Sequence, residues 1–194
     1  MAKSFTPEEP TRAITKSTYT QHRRGAIVWI HNKVQPGQSE DHHQTEWGKW
    51  VDQVAVGTAG MKDAAVVGEI SPEVASWLKS NQGINPATLD VVATRQKVQH
   101  ALGESKASRG AGVSIEDIKA MPQILSHPLA VLWDSEDPAL VYVFGRGGDR
   151  RGKFIVRINF HEKGMGTLNS FRTAGTAESG NLQSDRYKKI RGNP

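Results

Sequence analysis

Four strand-like segments follow one another near the end of the chain, and they limit the fold more than any other feature of the sequence. They are LAVLWD, ALVYVFG, KFIVRINF and LNSFRTAGT, and together they span residues 129–176. The links between them, SEDP, RGGDRRG and HEKGMG, are too short for the crossover that a parallel pair requires. The spacing therefore predicts an antiparallel meander.

Helix signals dominate the residues before the meander. Ser71 is a good N-cap for SPEVASWLKSNQ, with Pro72 at the first helical position and Gly83 after the end. The stretch RQKVQHALGESKAS is helix-like, with Gly103 as a kink or an end. Ser114 begins a further helix with a near-capping box, and a proline at position 122 should bend or stop it.

This order of elements predicts an α+β fold of N-terminal helices packed on an antiparallel sheet of four or more strands. The segments AAVVGEI and LDVVAT are further strand candidates, whereas TEWGKWVDQVAVG has helical spacing weakened by Gly48. We expect residues 1–60 to form an N-terminal arm and a small accessory region, with a short strand at 25–31. Residues 61–194 are expected to form the α+β domain.

Positive charge is concentrated in the C-terminal quarter of the chain. Residues 1–139 contain 14 Lys and Arg against 16 Asp and Glu, whereas residues 140–194 contain 11 against 4. This asymmetry favours a polyanion partner such as nucleic acid. It is also typical of a basic soluble surface or tail.

Composition excludes several kinds of functional site. The absence of cysteine excludes disulfides, thiolate metal sites and a cysteine nucleophile. No apolar run approaches the ~18 residues of a membrane span, and the N-terminus lacks the apolar segment of a secretory signal. The cluster EDHH at 40–43 follows no defined chelating pattern. We therefore predict no metal, no cofactor and no membrane partner.

The last two strands of the meander are unusually polar. Alternation in KFIVRINF places Phe154, Val156, Ile158 and Phe160 towards the core, and Lys153, Arg157 and Asn159 on the other face with Ile155. In LNSFRTAGT, Ser170 and Arg172 share one side, and Asn169, Phe171 and Thr173 share the other. Such donors can hold a phosphate, although the solvated face of a one-sided sheet has similar residues.

Two further features are candidates for contact with a substrate. The link GRGGDRRG (145–152) is a basic hairpin loop, in which Arg150 and Arg151 could touch phosphate. His100 is the natural acid or base near neutral pH, although a lone histidine is more often a surface residue. Lys106 follows six residues later, about 120° around an unbroken helix from His100. The two converge only if the helix ends or kinks near Gly103.

Several motifs together resemble a known domain. They are VQHALGESKASRG (98–110), MPQILSHPLAVLWDSEDPALVYVF (121–144), KFIVRINF (153–160), NSFRTAG (169–175) and YKKIRG (187–192). In their order they resemble the nuclease-like C-terminal domain of phage-encoded proteins, which is often fused to Mu-type minor head (head morphogenesis) proteins. That domain is placed in the barnase/EndoU/colicin/RelE-like nuclease group. The resemblance covers roughly the last 125 residues and leaves residues 1–60 unexplained.

The resemblance implies a metal-independent ribonuclease in which the RNA 2′-OH attacks its own phosphate to give a 2′,3′-cyclic phosphate. His100 would be the general acid or base, and Lys106 and Arg157 would bind or stabilise the phosphate. Asn169, Arg172 and Thr173 would position it. The strand and loop patterns add Lys153, Ser170, Arg150 and Arg151 as further candidates for contact with the substrate. Tyr187 would stack on a base.

The implied partners are RNA or another nucleic acid, phage head proteins and an immunity protein. The implied location is the virion or the cytoplasm of a bacterial host. The alternative is a non-catalytic virion component whose basic sheet binds nucleic acid or another head protein. The sequence leaves both functions open.

Overall fold

The structure is a computed structural model that describes residues 40–58, 64–103, 108 and 110–194, with side chains described from residue 44 onward. The N-terminal arm and the strand expected at 25–31 lie outside the described residues, as does Lys106.

The described residues form five α-helices, seven strands and one 3₁₀ turn. In chain order they are α1 Glu40–Val56, β1 Ala64–Glu69, α2 Pro72–Gln82, β2 Asp90–Thr94, α3 Arg95–Ala101, α4 Ile115–Lys119, α5 Met121–Ser126, β3 Ala130–Asp134, β4 Ala139–Gly145, β5 Arg150–Glu162, β6 Gly166–Glu178, the 3₁₀ turn Ser179–Gln183, and β7 Tyr187–Gly192.

Local signals set the helix ends where the sequence predicts them. The Ser71 hydroxyl accepts the Val74 N–H at the start of α2, and Gly83 ends that helix with φ 65°. Ser114 and Asp117 form a reciprocal capping box at the start of α4. Pro122 separates α4 from α5 by occupying the first turn of α5, where its missing N–H costs nothing.

The strands form one mixed sheet in the order β1-β2-β6-β5-β4-β3-β7. The predicted antiparallel meander is present from β3 to β6. The prediction of an antiparallel sheet holds for the meander but not for the whole sheet, because β2 pairs in parallel with β6 and joins the antiparallel β1–β2 pair to the meander. Several helices separate these two strands in the chain, so packing and not a short hairpin link sets their relative direction.

The helices cover one face of the sheet. Their apolar side chains form a single core with alternate residues of the strands, including Val91, Tyr142, Phe154, Val156 and Phe171. The opposite face, which we call the open face, carries smaller apolar clusters around Leu168 and Leu182. The open face is where the polar residues of β5 are directed.

Helix α1 packs in the same core as the domain that follows it. Its Trp47, Trp50 and Val54 side chains are buried, and the Trp47 indole N–H donates to the Ile118 carbonyl at 2.8 Å. The ambiguous stretch 45–57 is therefore largely helical. The boundary expected near residue 60 would assign α1 to the accessory region. The side chains of α1, however, share the core of residues 61–194.

The chain covers part of the open face on its way from β6 to β7. Leu182 of the 3₁₀ turn is buried against Ala130, Leu132, Val141 and Val143. Strand β7 then pairs with β3 at the edge of the sheet. What remains accessible on the open face is the region of β5 and β6 farther from β7.

Candidate polyanion-binding site

Two arginines on neighbouring strands converge on a single carboxylate. Arg157 of β5 approaches Asp137 at 3.3 Å, and Arg172 of β6 pairs with the other oxygen of the same carboxylate. Asp137 lies in the turn between β3 and β4, and these guanidinium groups, with Arg172 first, hold the pKa of its carboxyl below its usual value. We call Arg157 and Arg172 the arginine fork. Their guanidinium groups meet at the Asp137 carboxylate.

A β-bulge lies at Arg172. Ile155 pairs with Thr173 and Val156 pairs with Phe171, so Arg172 is an extra residue in β6. Phe171 remains fully buried in the core, whereas Thr173 lies beside Ile155 on the open face. The expected grouping of Thr173 with Phe171 on one side is wrong, because the bulge interrupts the alternation between them.

A lysine cluster lies beside the fork. The Lys97 ammonium, from α3, donates to the Ser170 hydroxyl at 2.7 Å and pairs with the Glu162 carboxylate. The Ser170 hydroxyl in turn donates to Glu162 at 2.7 Å. Ser170 is buried and pairs with Arg157 across the two strands. We call Lys97, Ser170 and Glu162 the lysine cluster.

One aromatic ring joins the cluster to the fork. The Lys97 ammonium lies 4.8 Å from the centroid of the Phe160 ring, and the Arg157 guanidinium lies 5.3 Å from it. Burial, followed by the positive charge of Arg157, lowers the pKa of Lys97 to about 8. The Glu162 carboxylate acts in the opposite sense, because it favours the ammonium form.

The position of Phe160 corrects a prediction. Alternation placed Phe160 in the core, but it pairs with Leu168 on the open face. The register shifts between Arg157 and Phe160, and Asn159 has φ 51° there, in the left-handed region that asparagine tolerates best among non-glycine residues. This second bulge turns the ring towards Lys97.

Asn169 and Asn159 hold backbone groups together. The Asn169 amide donates to the carbonyls of Thr88 and Asp90, and its oxygen accepts the Asn159 N–H. Asn159 accepts the Ala87 N–H at 2.7 Å and donates to the Asn85 carbonyl. Asn169, expected to position phosphate, is completely buried, so its contacts join the loop before β2 to β5 and β6.

Lys153 of β5 lies beside Tyr187, the first residue of β7. Lys153 shares the open face with Arg157, about 13 Å along β5 at the rise of an extended strand. Its ammonium lies 6.0 Å from the Tyr187 ring, and burial, followed by the charge of Arg186, lowers the pKa of this lysine. Arg186 also lies over the Tyr187 ring and binds Asp134.

The arginines of the basic loop (residues 145–152) contact the protein's own backbone. Arg150 donates to the Gly110 carbonyl at 2.6 Å and to the Thr176 hydroxyl, and Arg151 donates to the Gly148 carbonyl. Arg146 pairs with Asp117. A shallow cavity of about 270 Å³ lies between Gly110 and this loop. The structure therefore separates Arg150 and Arg151 from the fork.

His100 lies on the exposed side of α3. It lies three positions after Lys97, a spacing that places two helical side chains on the same side. The helix ends at Ala101, in agreement with the expectation that it ends or kinks near Gly103.

Sequence reasoning missed four charged residues of this region: Lys97, Asp137, Glu162 and Arg186. None lies in a motif with a defined spacing, and each acquires its role through a contact distant in the chain. The one usable signal was the position of Asp137 in the turn joining two predicted strands, which places its carboxylate at an end of the sheet.

The described part of the chain contains no group of three or more His, Asp or Glu side chains placed to hold a metal ion. None of its helices combines the length and the apolar character needed to cross a membrane. No protein-family model, curated protein or solved structure gave a significant match to this chain.

Proposed function

We propose that the chain binds RNA on the open face of its sheet and cleaves it as a metal-independent endoribonuclease. The observation that carries the proposal is the convergence of Arg157 and Arg172 on one exposed carboxylate beside Lys97. Paired guanidinium groups bind the oxygens of carboxylate and phosphate in the same geometry. The resemblance to phage-encoded nuclease domains supports the same class of substrate.

The proposed reaction needs three kinds of group. The fork binds the scissile phosphate and stabilises the charge that develops when the 2′-OH attacks it. The 2′-oxygen bonds to phosphorus as the P–O5′ bond breaks. His100 either takes the 2′-OH proton as the general base or protonates the leaving 5′-oxygen as the general acid, and water carries out the other proton transfer. Lys97 adds positive charge between the two, because it lies one helical turn from His100 and shares the Phe160 ring with Arg157.

The test is incubation of the wild-type protein with total bacterial RNA in EDTA, followed by end-group analysis of the fragments. His100→Ala and Arg172→Gln are compared with Lys79→Gln, which removes an exposed charge in the last turn of α2. We expect 2′,3′-cyclic phosphate ends from the wild type and Lys79→Gln. Cleavage by a well-folded His100→Ala protein would exclude His100 from the reaction.

A second candidate is a virion component that binds nucleic acid without cleaving it. One observation favours it: the cations of the fork and the lysine cluster are held in ion pairs, and Ser170 and Asn169 are buried. Such a site can hold phosphate without carrying out proton transfer. Intact RNA in the cleavage assay together with salt-dependent binding of RNA and DNA would support this candidate.

A further inference from the structure

The side chain of Asp137 is not what holds its turn in place. The Asp134 carboxylate accepts the backbone N–H groups of Glu136 and Asp137 at 3.1 and 3.2 Å. Arg186 binds Asp134 and Glu136 from the chain that leads into β7. The turn is thus fixed by its backbone and its other acidic residues, and the Asp137 carboxylate is directed to the arginine fork.

The fork is arranged around that carboxylate. Arg172 is two residues from Ser170, which pairs with Arg157, so alternation in β6 already places the two arginines on the same face. The two guanidinium groups each bind one oxygen of the same anion. Because carboxylate and phosphate oxygens accept guanidinium N–H groups in the same manner, the Asp137 carboxylate marks a position for phosphate.

The ion pairs of Asp137 with the two arginines are more exposed than the neighbouring pair of Lys97 with Glu162. The Asp137 side chain is 40% exposed, whereas the Glu162 carboxylate that holds Lys97 is 14% exposed and also accepts the Ser170 hydroxyl. Ion pairs at exposed positions contribute little to stability and are screened by salt. Asp137 is therefore the counter-ion that a polyanion displaces most easily.

We infer that the Asp137 carboxylate occupies the phosphate position of the arginine fork and competes with RNA for it, so that binding requires the β3–β4 turn to release both arginines. This inference rests on the proposed function, because it takes the fork as the RNA site. It adds an internal competitor that limits the affinity of that site.

The test measures binding of a fluorescent oligouridylate of about 12 nucleotides to wild type, Asp137→Asn and Glu136→Gln. Glu136→Gln is the matched control, because it removes the same charge from the same turn but from a residue that contacts Arg186. We expect Asp137→Asn to bind about 3- to 10-fold more tightly, the effect of losing two weak ion pairs, and Glu136→Gln to stay within about 2-fold. Thermal melting verifies that each variant is folded.

Adding Arg172→Gln to Asp137→Asn should abolish the gain, since the fork is then incomplete. Equal affinity of wild type and Asp137→Asn, or an equal gain in Glu136→Gln, would overturn the inference while leaving RNA binding intact. Failure of all three folded proteins to bind at low salt would instead overturn the proposed function, and the inference with it. A matching oligothymidylate reports whether the released fork distinguishes RNA from DNA.

Discussion

The arginine fork and the basic loop contain the same residue type, but their arginines have different partners. In the fork, Arg157 and Arg172 meet a carboxylate that is itself partly exposed. In the loop, Arg150 and Arg151 bind backbone carbonyls of the protein itself. An arginine is available to phosphate when its present partner is an exchangeable anion, and it is structural when its partner is its own backbone.

The largest expected effect is the loss of the fork. Arg157→Gln combined with Arg172→Gln should lower RNA affinity about 100-fold, because each charge-assisted contact contributes roughly 1.5 kcal/mol. The slope of log affinity against log salt should fall by about 1.4, since two phosphate contacts to a single strand are lost. Titration of a labelled oligouridylate at several salt concentrations measures both quantities.

Arg150→Gln combined with Arg151→Gln is the matched control for the fork, because it removes the same two charges. Its affinity should change by less than about 3-fold if the loop does not contact phosphate. Equal losses in the two double variants would show that binding depends on net charge alone, and the distinction between fork and loop would then be wrong.

A second comparison separates structural from exchangeable contacts within β6. Asn169→Ala leaves two carbonyls and one N–H without their partner, so the free energy of unfolding should fall by about 3 kcal/mol. Ser170→Ala should cost only about 1 kcal/mol, because Lys97 and Glu162 still pair with each other. Urea denaturation measures both.

RNA affinity separates the two roles considered for Asn169, which are to join strands and to position phosphate. A protein in which Asn169 only joins strands should bind RNA normally once the unfolded fraction is subtracted. A large loss of affinity in folded Asn169→Ala would instead support the phosphate-positioning role expected from the sequence.

A lysine next to the fork makes the site sensitive to pH in a way that arginine alone does not. Because the pKa of Lys97 is lowered to about 8, its ammonium loses a proton as pH rises from 7 to 9. RNA affinity should therefore fall several-fold over that range in the wild type, the size expected for one cation near phosphate. Binding titrations at pH 7, 8 and 9 measure the fall.

Lys97→Arg is the control for that titration, since a guanidinium stays charged over the whole range. Its affinity should be nearly constant, and Lys97→Met should be constant at a lower level. A wild-type affinity that does not change between pH 7 and 9 would show that Lys97 does not act on bound RNA.

Local signals predicted the helices well because each helix end is decided within a few residues. Ser71, Ser114 and Gly83 act on backbone groups next to them, so the sequence pattern and the structure agree. The four strands of the meander were predictable for the same reason, since short links force consecutive strands to pair.

The site was less predictable because two bulges decide which side chains share a face. A period-2 pattern assumes that no residue is added, and the extra residues near Asn159 and at Arg172 break that assumption. Lys97 reaches Glu162 because β2, which leads directly into α3, joins the sheet beside β6, a pairing set by packing. Asp137 reaches the two arginines from the turn between β3 and β4. Arg157 and Arg172 were identified from residue type, but their shared partner was not.

The smallest predicted effect tests the loop side of the comparison directly. Arg150→Gln removes bonds to the Gly110 carbonyl and the Thr176 hydroxyl, both at the surface. The free energy of unfolding should fall by about 1 kcal/mol, the net value of a surface hydrogen-bonded contact, while RNA affinity changes by less than about 2-fold. Urea denaturation and oligouridylate binding on the same sample separate these outcomes. A loss of affinity without a loss of stability would place Arg150 among the phosphate-binding residues. The partner of an arginine in the folded chain would then not show whether that arginine is available to phosphate.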